Sequence, residues 1–512
     1  MAFTQKSFGP VSSHGNSDMP SSWTYRTADG KGVVNAPNYF IKKISSLNDG
    51  DIINVDAADG KYSAVIIIED GDVTASERYG FVSPPDGFVV HQKLLGINAI
   101  KIGSSYDCSI APSDLIDLST YTNIQYVDWT RPDSSGDGST WALAERNIGT
   151  AIDNAIASGL DTRIFVRGGI YPRFQSIAQA SVAKNLTVAI SLEAVHGRVT
   201  TGPFDNLTYT KTVGKNFVYE ASRSAALIAV NLKQLDEDGE FVPILHVGSI
   251  TECDNNPNTW FTDNSKVYVH ADNSGVVTNT STRIYLGVVG AALYGNEDIY
   301  ISGFNLEGGQ SGALDIRNGT DNTVVLDDTK CNYASGGTIS SPLLKSGVAI
   351  LNCDLFAAFN SSSSYNSSDG FNLHEFSGKV PNGLTVNCRS KNNGLLLPGA
   401  TSVNGLTVHD GVAHIDIGGV WLGSTGTNAG HVSDSTQVWH FGSTAGKSQG
   451  DTINGGSINW GAFGMWAGEN EMWLESCVDI GSEIGVYAGP SSVVRVRNHN
   501  GTGSKSISVT DY

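Results

Sequence analysis

The 512-residue chain has few charged residues, and basic residues are the scarcer sign. Asp, Glu, Lys and Arg together make up 16% of the sequence, below the roughly 25% of an average globular protein. With 32 basic and 51 acidic residues, the formal net charge is −19. Nucleic acids and anionic bilayers attract basic surfaces, so this balance argues against both as partners. It leaves an acidic polysaccharide open, because one groove can differ from the whole surface.

Long hydrophobic runs are also missing. No apolar stretch reaches the roughly 18 residues that a membrane span needs, so we expect no membrane insertion. The first residues, Met-Ala-Phe-Thr-Gln-Lys-Ser, lack the apolar region of a secretory signal peptide. We therefore expect a protein that matures in a cytoplasm.

Cysteine is sparse, and its spacing does not suit a metal. No Cys-x-x-Cys pair or Cys/His cluster has the spacing of a zinc site, so we expect neither a metal nor another cofactor. Parallel side chains on stacked strands do not meet the geometry of a disulfide. We expect free, buried thiols at all six positions: Cys108, Cys253, Cys331, Cys353, Cys388 and Cys477.

Glycine, by contrast, is abundant, with 59 residues. Low charge with many turn-forming residues favours β-structure with frequent corners. The segment Gly383-Leu-Thr-Val-Asn-Cys388 is echoed 22 residues later by Gly405-Leu-Thr-Val-His-Asp410, and the same offset separates Cys331 from Cys353. A short period interrupted by insertions is typical of a β-strand solenoid, whose coils stack because one coil cannot bury its apolar side alone.

The echo also predicts side-chain directions, because successive residues of a strand face opposite ways. The apolar positions Leu384, Val386, Leu406 and Val408 are expected to point inward. Thr385, Asn387, Thr407 and His409 are then expected to point outward, with Lys330 and Asn352 in the same outer row.

Turn signals and hydrophobic periodicity predict three regions. Residues 1–75 form a small N-terminal β module, residues 76–122 a second β module or linker, and residues 123–512 a solenoid. Within the last region, apolar residues recur at helical spacing over 141–157. One amphipathic helix before a run of strands predicts a cap over the open end of the solenoid. The predicted fold class is all-β.

Several segments resemble known families. Trp129–Pro172 and Asn258–His270 resemble right-handed parallel β-helix proteins that act on polysaccharides. The early segments Ser22–Gly30, Asn38–Phe40 and Asn48–Val55 resemble N-terminal virion-attachment modules of bacteriophage tail proteins. In the central part of the chain, Asp369–His374 and Val408–Gly411 resemble β-helix proteins of the tailspike type.

This resemblance implies a right-handed, single-stranded parallel β-helix and a role as a phage tailspike. It implies three partners: a phage tail or baseplate protein at the N-terminal module, a bacterial capsule or lipopolysaccharide O-antigen, and two further copies in a homotrimer. The implied location is the virion, assembled in the bacterial cytoplasm and acting at the host surface. Proteins of this fold include hydrolases, lyases and inert adhesins, so fold alone does not choose an activity.

The interruption of the period, within residues 359–381, is the first place to look for chemistry. It contains Asp369, His374 and Glu375 after a Ser/Asn-rich stretch that alone would be a flexible loop. Glycosidic hydrolysis needs two carboxyl groups flanking the bond. Asp369, Glu375 and Asp410 are the catalytic candidates, with His374 or His409 orienting one of them or acting as a base. The alternatives are an Asx turn at Asp369 and solvated surface side chains at Glu375 and His409.

A polysaccharide lyase is the second enzymatic hypothesis, and an adhesin without turnover is the third. A lyase needs a base for the proton next to a uronate carboxylate, which His374 or His409 could supply, and a cation to neutralise that carboxylate. Five of the nine tryptophans lie within 421–473, where flat faces could stack on sugars or fill a core. The substrate-binding candidates are Asn387, Arg389, Lys391, Trp439 and Trp460.

Overall fold

The structure of the chain is a computed structural model. It describes residues 8–12, 22–29, 31–34, 36, 38–48, 51–58, 60–69, 71–102, 105–338, 341–396, 403–449, 461–506 and 509–511. The chain divides into two units, Met1–Pro84 with Leu94–Ile110, and Pro85–Lys93 with Ala111–Tyr512. Within the described ranges, no helix has both the length and the apolar character needed to cross a membrane.

The first unit is one seven-stranded sheet whose strands follow chain order. The strands are Phe8–Ser12, Ser22–Arg26, Ile52–Ala57, Gly60–Glu69, Asp72–Val82, Ala99–Ile102 and Ser105–Cys108, with a short helix Lys31–Val34 and a 3-10 turn Ile41–Ser46. Asp72–Val82 pairs antiparallel with Gly60–Glu69 and continues past residue 75. The predicted division at 75 is therefore wrong, because a single hairpin spans it and the next two strands complete the same sheet.

The β-strands of successive coils in the second unit pair in three parallel sheets. In the first sheet the long strand Ile190–Thr201 pairs with two strands of the next coil, Ile299–Ser302 and Phe304–Glu307. The first sheet contains Asn123–Val127, Thr162–Tyr171, Ile190–Thr201, Ile299–Ser302, Phe304–Glu307, Thr323–Asp327, Lys330–Asn332, Leu355–Phe359, Asn382–Val386, Ala413–Ile417, Gln437–Phe441, Glu471–Glu475, Val493–Arg497 and Val509–Asp511. The second contains Lys184–Asn185, Ala291–Tyr294, Leu314–Arg317, Val348–Ile350, Phe371–Leu373, Leu406–Val408, Ala429–Val432, Phe463–Trp466, Ile484–Ala488 and Ser504–Lys505. The third contains Arg389–Lys391, Val420–Leu422, Thr444–Gly446, Val478–Ile480 and Asn500–Gly501.

The chain passes from one sheet to the next and returns one coil later, so the predicted fold class, a right-handed parallel β-helix, is confirmed. One continuous apolar core runs through the coils. All six cysteines are free and buried, as predicted. Other short helical segments are Gln92–Leu94, Pro112–Leu115, Leu118–Thr120 and Gln179–Ser181.

The capping helix is shorter than predicted. A 3-10 turn covers Trp141–Leu143, and the α-helix runs only from Ile148 to Ser158. Ala144 adopts an extended ψ of 144°, which separates the two segments. The α-helix packs Ile148, Ile152 and two alanines into the core beside the first strands of the β-helix, as a cap requires.

An antiparallel module is inserted between Ile190–Thr201 and Ala291–Tyr294. Its strands are Thr210–Lys211, Tyr219–Ser222, Ala226–Leu235, Phe241–Pro243, Leu245–His246, Thr259–Thr262, Lys266–His270 and Thr282–Leu286, with a helix at Ile250–Asn255. Trp260 and the strands around it form a separate apolar core. A hairpin of Gly336–Thr338 and Ser341–Leu343 lies later in the chain. The antiparallel module was not predicted from the sequence.

The predicted side-chain register is wrong for one half of the echo. Gly383 pairs with Phe356 and with His414, 27 and 31 residues away, so the offset of 22 is not one coil. Its two halves lie in different sheets, Asn382–Val386 in the first and Leu406–Val408 in the second. Leu406 and Val408 point into the core as predicted.

In the first sheet the inward residues are instead Gly383 and Thr385. A Cβ on Gly383 would lie 2.0 Å from the ring of His414 and 2.8 Å from the core residue Leu373. Leu384 and Val386 alternate with these inward positions and face the other way, although they are buried. Glycine is needed at 383 because the imidazole above it occupies the space of a side chain.

A polar network occupies the core at this level. The completely buried carboxylate of Asp416 accepts hydrogen bonds from Thr385, Trp421, His440 and Ser443 at 2.7–2.9 Å. A chain continues from His440 to His431, whose Nε2 atoms are 2.9 Å apart. His414 contacts Thr385 at 2.9 Å. These partners explain how a charged group is tolerated in the core, since a buried carboxylate needs several donors.

The neutral buried histidines predict acid sensitivity. Burial lowers the pKa of His414 to about 3 and that of His431 well below its ordinary value. Below about pH 6.5 the unfolded chain therefore binds protons that the native chain does not, and stability falls as the pH falls. From pH 7 to pH 5 we expect His414 to cost about 2 kcal/mol of unfolding free energy, and His431 to lower the stability in the same direction.

The measurement is urea denaturation at pH 7, 6 and 5. His414→Gln removes one titrating group, so it is expected to show a shallower loss of stability than the parent. His196→Gln, at an exposed position, serves as the control and should follow the parent. Equal pH dependence in the parent and His414→Gln would contradict the prediction.

Candidate functional site

Two histidines and an aspartate meet at the corner between the second and first sheets. Leu373 and Val408 pair in neighbouring coils, so the residues that follow them, His374 and His409, lie one above the other. Their rings stack with centroids 4.7 Å apart and an interplanar angle of 11°. We call His374, His409 and Asp410 the histidine corner.

Backbone conformation brings the carboxylate of Asp410 back to the rings. Asp410 has a φ of 61° and Gly411 a φ of 84°, so the chain turns sharply directly after His409. Oδ2 of Asp410 lies 2.7 Å from Nδ1 of His409 and 4.0 Å from Nδ1 of His374. The left-handed conformation is accessible to aspartate, which tolerates it better than most residues.

The hydrogen bonds fix which ring nitrogens carry protons. Asp410 accepts from Nδ1 of His409, and the carbonyl of Glu375 accepts from Nδ1 of His374 at 2.9 Å. Both acceptors leave the Nε2 lone pairs of the two rings unused. The side chains of His374 and His409 are 25% and 21% exposed, so a ligand can reach them.

Electrostatics favours a neutral His409. Burial lowers the pKa of His409, the charge of Asp410 opposes that shift, and the charge of His374 adds to it. A neutral imidazole held by a carboxylate is the arrangement of a general base. Within the described ranges, His374, His409 and Asp410 also form the one group of ligand-type side chains close enough to hold a metal ion.

A groove of about 850 Å³ starts beside the histidine corner. Its lining follows the beginnings of successive strands of the first sheet: Asn382, Gly411, Ala413, Ser435, Thr436, Gln437, Glu469, Asn470, Glu471, Ser491 and Val493, with Val89 and Val380. The strands are spaced about 4.8 Å apart, so side chains of one coil after another face the groove at regular intervals. Polar side chains that recur coil by coil, with apolar surface between them, suit a chain of sugar rings, which have hydroxyl groups and apolar faces.

Val89, in the segment 85–93, lines one side of the groove. The amide of Val89 donates to Gln437 at 2.8 Å, and Gln437 donates to the carbonyl of Gly87 at 3.2 Å. Phe88 packs edge-on against Trp473, with ring centroids 5.9 Å apart. Gln437 also donates to Glu471, which forms an ion pair with Arg495 at 3.0 Å.

The predicted catalytic carboxylates separate in the structure. Asp369 is buried and accepts from the Asn404 amide at 2.8 Å and from Asn372 at 2.6 Å, while burial raises its pKa. Glu375 accepts from the amide of Gly378 in a short loop. Of the three side-chain carboxylates, only that of Asp410 contacts the histidines. The roles of all three in catalysis remain predictions.

The Ser/Asn-rich stretch before Asp369 is not a flexible loop as predicted. Ser363 is completely buried. Its Oγ lies 2.8 Å from the carbonyl oxygens of both Cys331 and Gly370, so the hydroxyl can donate to either of them. Asn366 donates to Asn393 of the next coil at 3.0 Å. These small polar side chains link neighbouring coils, so the stretch belongs to the core of the scaffold, and the exposed part of the insertion is residues 376–378.

The two cations predicted to bind substrate, Arg389 and Lys391, instead form ion pairs with carboxylates of the inserted module. Arg389 pairs with Asp238 at 3.1 Å, and Lys391 pairs with Asp236 at 3.3 Å and with Asp238. Burial alone would lower the pKa of Lys391, but the two carboxylates outweigh it and raise the pKa. Both cations follow the far end of strand Asn382–Val386, and Asn387 forms the turn there with a φ of 52°.

The prediction that Trp439 binds substrate is wrong. Trp439 is completely buried on the first sheet, paired between Ile415 and Trp473, so its face is not available to a sugar. Trp460 lies outside the described residues. The groove residues were missed, although polar side chains do recur at the strand beginnings Asn382, Gln437 and Glu471.

Comparisons with known proteins find no relative by sequence and a few similar solved structures. No family model matches, and no curated protein matches the sequence. The complex of XylC with xylose is 12% identical, with a TM-score of 0.44, covering 74% of this chain and 70% of that one.

Two further solved structures are similar at the same level. Pectate lyase Pel9A is 12% identical, with a TM-score of 0.40, covering 76% of this chain and 78% of that one. A structure described as a glycoside hydrolase is 8% identical, with a TM-score of 0.40, covering 74% of this chain and 97% of that one. The chemistry of the site has to come from this chain's own residues.

Replacing Asp410 tests the electrostatics of the histidine corner. The charge of Asp410 favours protonated His409, so Asp410→Asn is expected to lower the pKa of His409 further. The measurement is a titration of the His409 Cε1–H signal by nuclear magnetic resonance. Glu375→Gln is the control, because that carboxylate is held by Gly378 instead. An unchanged His409 pKa in Asp410→Asn would contradict the assignment.

Proposed function

We propose that this chain binds a bacterial surface polysaccharide along the groove and cleaves it at the histidine corner. The observation that carries the proposal is the pair of stacked imidazoles with Asp410 on Nδ1 of His409, at one end of a polar groove. Asp410 holds His409 in the tautomer whose Nε2 can accept a proton. The groove supplies hydrogen-bonding side chains at each coil to align the sugar chain.

β-Elimination is the reaction that this geometry favours. Nε2 of His409 takes the proton next to a uronate carboxylate, the electron pair forms a carbon–carbon double bond, and the glycosidic oxygen leaves. The departing oxygen takes its proton from water or from the Nε2–H that His409 has just gained, because Nε2 of His374 carries no proton in the tautomer that the Glu375 carbonyl selects. Lys379, on the loop after His374 and paired with Asp354 at 2.8 Å, is the candidate cation for the substrate carboxylate.

Hydrolysis is the second candidate, because the groove carries carboxylates. Glu469 and Glu471 line it, and Asp410 precedes its lining residue Gly411. A hydrolase would use two such groups as acid and base or nucleophile. The pair drawn from Asp369, Glu375 and Asp410 is less favoured than in the sequence analysis, because Asp369 is buried and Glu375 is held in a turn.

An assay with purified capsules and O-antigens separates the reactions. We expect reducing ends and the ultraviolet absorbance of an unsaturated uronate to rise together. His409→Ala is expected to reduce the rate by about 10²–10⁴-fold, as for loss of a general base. His196→Ala, at an exposed position, is the matched control. Reducing ends without absorbance would mean hydrolysis, and binding without either would mean an adhesin.

We further propose that the chain is a phage tailspike. The first unit would attach to a tail or baseplate protein, which is supported by the resemblance of Ser22–Gly30 and Asn48–Val55 to attachment modules and by the compact sheet that this unit forms by itself. The virion would carry the protein to the host surface, where the glycan is the receptor.

A homotrimer is the expected assembly of this tailspike. Sedimentation equilibrium of the full chain should give three times the monomer mass of 54.1 kDa. A mass near that of one chain, at concentrations where the protein remains folded, would rule the trimer out. The same measurement in high salt would show whether ion pairs hold the subunits together.

A further inference from the structure

A second cleft of about 860 Å³ lies in the β-helix unit between the capping region and the start of the inserted module. None of its lining residues lines the groove at the histidine corner. We call it the arginine cleft and define it by Arg146, Phe174, Gln175, Asp205, Leu207 and Arg223. It combines positive charge, unused donors and an exposed aromatic ring.

Positive charge is locally in excess, although the whole chain carries −19. Arg223 and Arg173 share one carboxylate, with distances of 3.2 and 3.3 Å to the two oxygens of Asp205. Arg146 donates to the carbonyl of Pro132 at 3.3 Å and, within the described ranges, forms no ion pair; the exposed Asp133 lies within its electrostatic range. An anion entering the cleft would therefore meet unneutralised guanidinium groups.

Three buried donors of the cleft have no hydrogen-bond partner among the described residues. They are Nε of Arg146, Nε of Arg223 and the side-chain amide nitrogen of Gln175. Buried polar groups are nearly always hydrogen-bonded, so three orphan donors around one cleft need an explanation. A bound oxyanion would supply the missing acceptors, since guanidinium groups match carboxylates and sulfates in geometry.

An aromatic ring completes the cleft. Phe174 lines the cleft and is 58% exposed, so a ligand can reach its ring. The guanidinium of Arg173 lies 4.3 Å from the centre of its ring. Leu207 adds apolar surface beside it. A flat apolar face next to cations suits a sugar ring that carries a negative group.

We propose that the arginine cleft binds an anionic sugar residue, with Arg146 and Arg223 on the charged group and Phe174 against the ring. The cleft is a binding site separate from the histidine corner. It would hold an acidic polysaccharide at a second point along the β-helix, and it would do so whether or not the histidine corner cleaves that chain.

Calorimetric titration of the full chain tests the proposal, in a His409→Ala background so that no substrate is consumed. The probes are tri-galacturonate, neutral maltotriose and inorganic sulfate. We expect tri-galacturonate to bind at least about tenfold more tightly than maltotriose, and Arg146→Gln or Arg223→Gln to remove about tenfold or more of that affinity. Phe174→Ala should weaken tri-galacturonate but leave sulfate unchanged.

Two controls assign the binding to the arginine cleft. Arg198→Gln removes an arginine paired with Asp328 elsewhere, so it should not change the affinity. Asn382→Ala alters the groove, where the proposed function also places the sugar chain, and so identifies any part of the binding that belongs to the groove. If Arg223→Gln does not fold, Arg146→Gln and the exposed Phe174→Ala still decide the question. Equal affinity for acidic and neutral sugars would overturn the proposal, as would loss in Asn382→Ala but not in Arg146→Gln. Sulfate binding as tight as tri-galacturonate and insensitive to Phe174→Ala would replace it with a site for a free inorganic anion. If the protein cleaves polysaccharide but the arginine cleft does not bind tri-galacturonate, this proposal fails and the proposed function stands. If the cleft binds but no polysaccharide is cleaved, the proposed function fails and this proposal stands.

Discussion

Parallel pairing of each strand with the strand one coil earlier is the constraint on which the site depends. Because Leu373 pairs with Val408, the two parallel strands end directly above one another and the chain leaves them in the same direction. The side chains that follow therefore stack. The stacked imidazoles of His374 and His409 are a direct result of that pairing. The same rule sets the regular polar lining of the groove, in which each coil contributes the residues at the beginning of its strand. Local turn chemistry then adds the one group that pairing cannot place, the carboxylate of Asp410.

The general architecture could be predicted from composition, periodicity and resemblance, but the register could not. Gly383-Leu-Thr-Val and Gly405-Leu-Thr-Val have the same pattern, yet the first directs its Leu and Val, still buried, to the outer side of one sheet and the second directs them into the β-helix core. The difference comes from residues far along the chain. His414 fills the space above Gly383, and Asp416 binds Thr385, so polar groups occupy positions that an apolar pattern assigns to the core. Such a polar network can be predicted only when the pairing of residues between coils of unequal length is known.

The site was predicted in part for a similar reason. His374, His409 and Asp410 were all candidates, and the structure brings them together. Asp369 and Glu375 were placed beside them by sequence proximity, but each satisfies local backbone or amide donors. Arg389 and Lys391 looked available because their partners, Asp236 and Asp238, lie about 150 residues earlier in a module that the sequence did not reveal. Pairing across such a separation leaves no local signal.

The six free thiols have a consequence for where the molecule can work. Every cysteine is buried, and burial raises the thiol pKa of Cys253, Cys331, Cys353, Cys388 and Cys477. A protonated, inaccessible thiol neither attacks a disulfide nor is easily oxidised. The folded state therefore does not depend on the redox potential around it. A protein built in this way can leave a reducing compartment for an oxidising one without any change in its covalent structure.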